Sequence, residues 1–294
     1  MTAAAVLGEV ESWRAEYPFA SHWIDTPAGR QHYVDEGQGR PVLFVHGNPT
    51  WSFYWRRCIM DVSAAGFRAI AVDHLGCGLS DKPQDWSYRL ADHVANLERL
   101  VVALDLRDIT LVVHDWGGAI GLGVATRHPE RFRGLVITNT AAFRAPRIPW
   151  RIAACRIPGL GSLAVRGLNG FAAAAVHMAT EKGLSPVARA GLLAPYDSWH
   201  NRIATLRFVE DIPMAEGHPS WNTLAEIESG LPLLADKPMR LVWGEEDWCF
   251  TPWFRQEFER RFPAAQSFPL RGIGHYVAED AADELSRHVL EAAR

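Results

Sequence analysis

Three residues far apart in this 294-residue chain have types and addresses that suit covalent chemistry: Asp115, Asp247 and His275. Asp115 stands in LVVHDWGGAIGLG, where an apolar run gives way to the Gly117-Gly118 pair and then to a helical pattern. A carboxylate at such a junction is either a helix cap or a nucleophile. A nucleophile there rides on a sharp strand-to-helix turn, and a small residue two positions on, here Gly117, keeps the turn free of clashes. The helix N-terminus favours the ionised carboxylate in either role. The other position that such a turn often fills with glycine is Val113, a departure from the pattern. Asp247 follows an apolar run in LVWGEEDWCF, and His275 precedes the last helical segment in RGIGHYVAED. Nucleophile, acid and base then fall in one chain order. Glu245 and Glu246 compete for the acid's place, but position relative to the preceding strand favours Asp247.

The elements that must position these residues are legible as alternating strands and helices. HWIDT and QHYVDEG read as an opening hairpin. PVLFVHG, FRAIAVDH, DITLVVHD and FRGLVITNT are near-continuous apolar strands, the signature of a parallel sheet covered on both faces. After Thr140 the pattern turns helical and irregular, punctuated by Pro146, Pro149, Pro158 and Pro213. Strand character returns at MRLVWGEED, and a helix over Asp280 to Ala293 closes the chain. The expectation is an α/β core over 1–140 and 231–294, with a mostly parallel sheet and helices on both faces, interrupted by a helical cap over 141–230.

Composition narrows the ligand. The chain is 48% hydrophobic and 22% charged with a net charge of −4, enough to bury one large core and without the basic footprint of a nucleic-acid binder. Cys58, Cys77, Cys155 and Cys249 show no CxxC pairing and no histidine at metal-ligand spacing, so no metal and no disulfide framework is expected. The first residues lack a positive region and meet Glu9 and Glu11 too early for a secretory signal, and no apolar run reaches the ~18 residues of a membrane span. These features predict a cytoplasmic protein with a small hydrophobic substrate and no transmembrane segment.

Five segments together, HGNPTWSFYWR, DHLGCGLSDKP, HDWGG, GEED and GHYVAED, resemble the haloalkane dehalogenase family of α/β-hydrolases across nearly the whole chain. VITNTAAF and APYDSWHNRIATLRFVEDIP are similar to the bacterial β-lactone decarboxylases of olefin biosynthesis, which are themselves dehalogenase-like. The resemblance implies an α/β-hydrolase fold without a cofactor, with Asp115 as nucleophile, His275 as base and Asp247 as acid. It also implies a leaving-group clamp made by Asn48 and Trp116, whose backbone N–H groups form an oxyanion hole. The chemistry agrees, since growing negative charge needs fixed donors in a dry pocket, and the indole N–H and the amide supply them. Trp150, Phe171, Met178, Trp199 and Phe208 offer a wide apolar lining for the cap.

Within this resemblance some chemistries are excluded. Asn139 and Thr140 stand where one dehalogenase subgroup carries a glutamate acid, which leaves the role to Asp247. Epoxide hydrolases need a pair of cap tyrosines, and residues 141–230 hold only Tyr196. Serine esterases differ at the nucleophile itself. The expected reaction is decarboxylation of a β-lactone to a cis-alkene and carbon dioxide through an alkyl ester on Asp115, as a homo-oligomer or in assembly with other olefin-biosynthesis enzymes. Two alternatives stand beside it: hydrolytic dehalogenation through the same ester, and a silent hydrolase fold used as an assembly module.

Overall fold

Alternate residues of the central strands fall into two separate buried clusters, as the two-residue repeat of an extended chain requires. Leu43 and Val45 of β3 (Pro41–Val45) lie in one cluster, and Val42 and Phe44 lie in the other. The same division separates Leu111 and Val113 from Val112 in β5 (Ile109–Asp115). It also separates Leu135 and Ile137 from Val136 in β6 (Phe132–Thr140). A strand apolar on both faces is stable only with helices packed on both sides, and that is the arrangement found.

The computed structural model describes residues 13–294, so the reading of the extreme N-terminus lies largely outside the described residues. Eight strands form one sheet in the order β1-β2-β4-β3-β5-β6-β7-β8. The expected hairpin is β1 (Ser21–Thr26) with β2 (Gly29–Glu36), which pairs antiparallel with β4 (Arg68–Val72). From β4 through β3, β5, β6 and β7 (Met239–Gly244) to β8 (Gln266–Leu270) every pairing is parallel. The edge strand β8 is absent from the sequence expectation. QSFPL contains a proline, is partly exposed, and carries neither an apolar run nor a clean alternation, which an edge strand tolerates.

The helix Trp116–Arg127 is buried from Gly117 to Ala125 and packs against the helices Leu90–Ala103 and Trp221–Gly230. Between β6 and β7 the described chain is helical, through Trp150–Ala154, Gly170–Met178, Pro186–Leu193, Ile203–Glu210 and Trp221–Gly230. The last of these sends Leu224 and Ile227 into the core cluster of the sheet. No helix among the described residues is long and apolar enough to cross a membrane.

Candidate active site

In an open parallel sheet the carboxyl ends of the strands face one crevice, and residues just past those ends converge there. Asn48 follows β3, Asp115 ends β5, Asn139 lies near the end of β6, Asp247 follows β7 and His275 follows β8. The structure brings all five to one place.

Asp115 sits at the junction of β5 and its helix with φ of 52°, a strained conformation for a residue with a side chain. Its carboxylate does not cap the helix. It accepts the Asn48 backbone N–H on Oδ1 at 2.6 Å, and the Trp116 backbone N–H supports the same carboxylate. Close approach is what makes this possible: a Cβ on Gly47 would overlap the Asp115 carboxylate, and one on Gly117 would overlap the Val45 carbonyl. The Thr140 hydroxyl donates to the Asp115 backbone carbonyl and pins the turn to β6.

His275 donates from Nδ1 to Asp247 Oδ2 at 2.7 Å, while its Nε2 lies 3.8 Å from Asp115 Oδ2. Asp247 is fully committed: Oδ2 also accepts from Asn139 Nδ2 at 2.9 Å, and Oδ1 accepts from the Cys249 N–H at 2.6 Å. The competing Glu245 instead pairs with Arg255 at 3.0 Å, and Glu246 reaches the Gly272 N–H. Burial alone would lower the His275 imidazole, but the Asp247 charge and hydrogen bond, with Asp115 beyond, outweigh it and raise it above its ordinary value. Burial raises the Asp115 carboxyl, against the opposing pull of His275 and the two backbone N–H groups. His114 is pushed well below its ordinary value by burial and by His275, and as a neutral ring it donates from Nε2 to the His275 carbonyl at 2.9 Å.

A cleft enclosing about 1130 Å³ of atom-free space, partly open to solvent, lies over this group. Asp115, His275, Asn48 and Trp116 line it, among mostly apolar neighbours. The Trp116 indole N–H meets no acceptor among the described residues and is free for a ligand. Asn48 is partly committed: its Nδ2 donates to the Thr205 carbonyl at 3.1 Å, leaving one amide hydrogen rather than two.

The expected apolar lining is redistributed. Phe171 lines the cleft, but Trp150, Met178, Trp199 and Phe208 do not. Trp150 is 74% exposed, and Met178 and Trp199 are exposed with it. Phe208 is buried behind the wall, with its ring 5.2 Å from Trp116. Helical amphipathicity tells how many apolar residues a cap holds, not which of them face inward. Tyr196 is absent from the walls, and its hydroxyl donates to the Thr50 carbonyl at 3.2 Å.

Sequence reasoning missed two positioning residues. Asn139 entered only as the absence of a glutamate, yet it clamps Asp247 and exchanges hydrogen bonds with Gly244 in both directions, at 3.0 and 2.8 Å. Asp73, in the DHLGCG segment, is buried and accepts the Ser52 N–H at 2.7 Å, the Leu79 N–H at 2.9 Å and His32 Nδ1 at 2.8 Å. It anchors the loop that carries Asn48.

An aspartate on a strained strand-to-helix turn, a histidine within reach of it and a second carboxylate behind define a hydrolase-type site at the top of a parallel sheet. The alpha/beta hydrolase fold profile matches residues 40–282, and the chain belongs to that family. It is 42% identical over 279 residues to the cis-3-alkyl-4-alkyloxetan-2-one decarboxylase of Shewanella oneidensis, covering 92% of this chain and 87% of that one. It is 33% identical to haloalkane dehalogenase 2 of Mycobacterium tuberculosis, covering 94% and 95% of the two chains. Among solved structures, a haloalkane dehalogenase of Bradyrhizobium elkani superposes with a TM-score of 0.84 at 27% identity, over 94% of this chain and 97% of that one.

Proposed function

We propose that this chain decarboxylates cis-3,4-dialkyl β-lactones to cis-alkenes, with Asp115 as nucleophile. The substrate assignment is carried by the chain's greater likeness to the Shewanella decarboxylase than to the dehalogenases. The site supports the chemistry, because a buried carboxylate faces an apolar cleft beside two donors.

An oxygen of Asp115 attacks the ring carbon that bears oxygen, forming a carbon–oxygen ester bond as the ring carbon–oxygen bond breaks. The released carboxylate is met by the Trp116 indole N–H and the remaining Asn48 amide hydrogen. Backside attack leaves the ester oxygen and the new carboxylate antiperiplanar. The carbon–carboxylate bond then supplies the electron pair of the alkene, carbon dioxide departs, and the ester oxygen returns to Asp115 as carboxylate. Inversion followed by anti fragmentation leaves the two alkyl groups on one side, so a cis-lactone gives a cis-alkene. No water is consumed and no proton is exchanged. A protonated His275, held by Asp247, stabilises Asp115 as it leaves. The division into a core over 1–140 and 231–294 and a cap over 141–230 belongs to this reading, with Trp221–Gly230 seated on the core side.

Dehalogenation would begin with the same type of ester, but water would then attack the Asp115 carboxyl carbon. Turnover in heavy-oxygen water separates the two. The expected result with a cis-dialkyl β-lactone is alkene and carbon dioxide with Asp115 unlabelled, and weak or no release of halide from simple bromoalkanes. Rapid halide release from short bromoalkanes, label in Asp115 and an inert lactone would establish the dehalogenase instead. A protein that forms no ester with either would be a binding module.

A further inference from the structure

The cap carries a surface of distinctive composition. Residues 141–180 contain five arginines and no aspartate or glutamate, in a chain whose net charge is −4. Among the described residues only Arg144 of the five reaches a carboxylate, Glu228 at 2.6 Å. The same stretch exposes Trp150, Ile157, Leu160, Leu163 and Leu168, at 49% to 75% of their possible area. These two features interleave. Arg151 lies 5.4 Å from the rings of both Trp150 and Trp248, and Arg166 lies 4.6 Å from the Trp199 ring.

The surface also adjoins the route to the nucleophile. Pro149, next to Trp150, lines the Asp115 cleft and also a second cavity beside it, which is bounded by Arg147, Trp248 and the half-exposed Trp253. Arginines without a carboxylate partner, set among exposed leucine and tryptophan, are the composition that seats in the headgroup layer of an anionic bilayer, with apolar groups at the acyl boundary and guanidinium groups on lipid phosphates. Protein interfaces also favour arginine and tryptophan, so binding that ignores vesicle charge is an outcome the test separates. A two-fold contact between copies would set these arginines against one another.

The geometry points to this face docking on an anionic bilayer, with the mouth of the cleft turned towards the lipid. The inference rests on the lactone reading in one respect: a dialkyl lactone partitions into a bilayer, and docking delivers it without passage through water. The surface itself is independent of that reading.

Co-sedimentation with phosphatidylcholine vesicles, with and without phosphatidylglycerol, tests it. The full chain is expected to bind the mixed vesicles in preference to the neutral ones, with binding that weakens as salt rises. Arg151→Gln with Arg156→Gln should lower the affinity by about fivefold per arginine. Leu160→Ser, Leu163→Ser and Leu168→Ser together should abolish binding. Both variants should keep the parent melting temperature and the parent turnover of a short, water-soluble lactone. If the lactone reading alone is wrong, the parent is silent in that assay while vesicle binding persists. The docking inference is overturned by no vesicle binding, by equal and salt-insensitive binding to both vesicle types, or by self-association that the leucine variant abolishes.

Discussion

At Asp115, burial and charge act in opposite directions, and the outcome sets the acid limit of catalysis. The nucleophile must be ionised, and its carboxyl is raised above the ordinary value of 3.8, first by burial. Activity should therefore fall with decreasing pH at a point above the ordinary value of an aspartate carboxyl. His275 is raised above its ordinary 6.5 because Asp247 and Asp115 outweigh burial, so the ring is protonated below that raised value and neutral above it. Water activation needs the neutral ring, whereas a departing Asp115 carboxylate is helped by the charged one. The pH profile of kcat/KM for lactone should stay high below the His275 transition, falling on the acid side at the Asp115 limb and on the alkaline side as the ring loses its charge, while any ester hydrolysis should appear above that transition. A lactone profile that collapsed as His275 became protonated would remove the electrostatic role assigned here.

Two substitutions test the reacting groups directly. Asp115→Asn should abolish turnover while keeping the fold, because the amide is nearly isosteric and a poor nucleophile. Trp116→Phe removes the unpaired indole N–H with little change of shape, and loss of such a donor typically costs about 100- to 1000-fold in rate. Parent-like kinetics for Trp116→Phe would reduce the indole to a packing group. These residues were legible in sequence because their addresses are topological: a residue just past a strand end, in a fixed chain order, needs no three-dimensional detail to be placed. The commitment of one Asn48 amide hydrogen to Thr205 was not legible, since it joins residues 157 positions apart.

Between elements, a register shift does what no local pattern announces. His114 pairs with Thr138, but Asp115 pairs with Thr140, so Asn139 bulges out of β6 with φ of 33°. A bulge beside a site re-aims one side chain, and here it sends Asn139 across to Gly244 and Asp247. Asn139→Ala should lower the unfolding free energy by about 3 kcal/mol, because buried partners on β7 lose their hydrogen bonds. Denaturant unfolding measures this, and a loss near zero would mean that water replaces the amide. The departure at Val113 has an answer on the facing helix. A Cβ on Gly121 would come within 2.7 Å of Val113 Cγ1, so the larger strand residue is matched by a smaller helix residue. Gly121→Ala should destabilise by about 1–3 kcal/mol, and Val113→Ala in the same chain should recover part of the loss. Additive effects would show that the two positions do not share space. The β6 bulge and this exchange of volumes were invisible in sequence because each depends on which residue lies opposite.

At the scale of the molecule, residues past the strand ends and residues of the helical stretch between β6 and β7 together line the cleft over Asp115. The end of β5 and the start of its helix contribute Asp115 and Trp116, the segment after β6 contributes Ala141 and Ala145, and the helix Gly170–Met178 contributes Phe171 and Ala175. Nothing in the residue pattern singles these out from the many apolar residues of 141–230, since inward and outward faces are distinguished only by packing. If the alkyl arms of the lactone lie along these walls, each methylene removed from water contributes about 0.8 kcal/mol of binding. The value of kcat/KM should then rise about fourfold per added methylene until the cleft is filled, and level off beyond it. Ala175→Phe places a ring on the wall without touching Asp115, Asp247 or His275, so it should move the plateau to shorter chains and leave the rates for the shortest lactones unchanged. A flat dependence on chain length in the parent, or an unmoved plateau in Ala175→Phe, would show that the arms lie elsewhere and that this wall does not set the substrate's length.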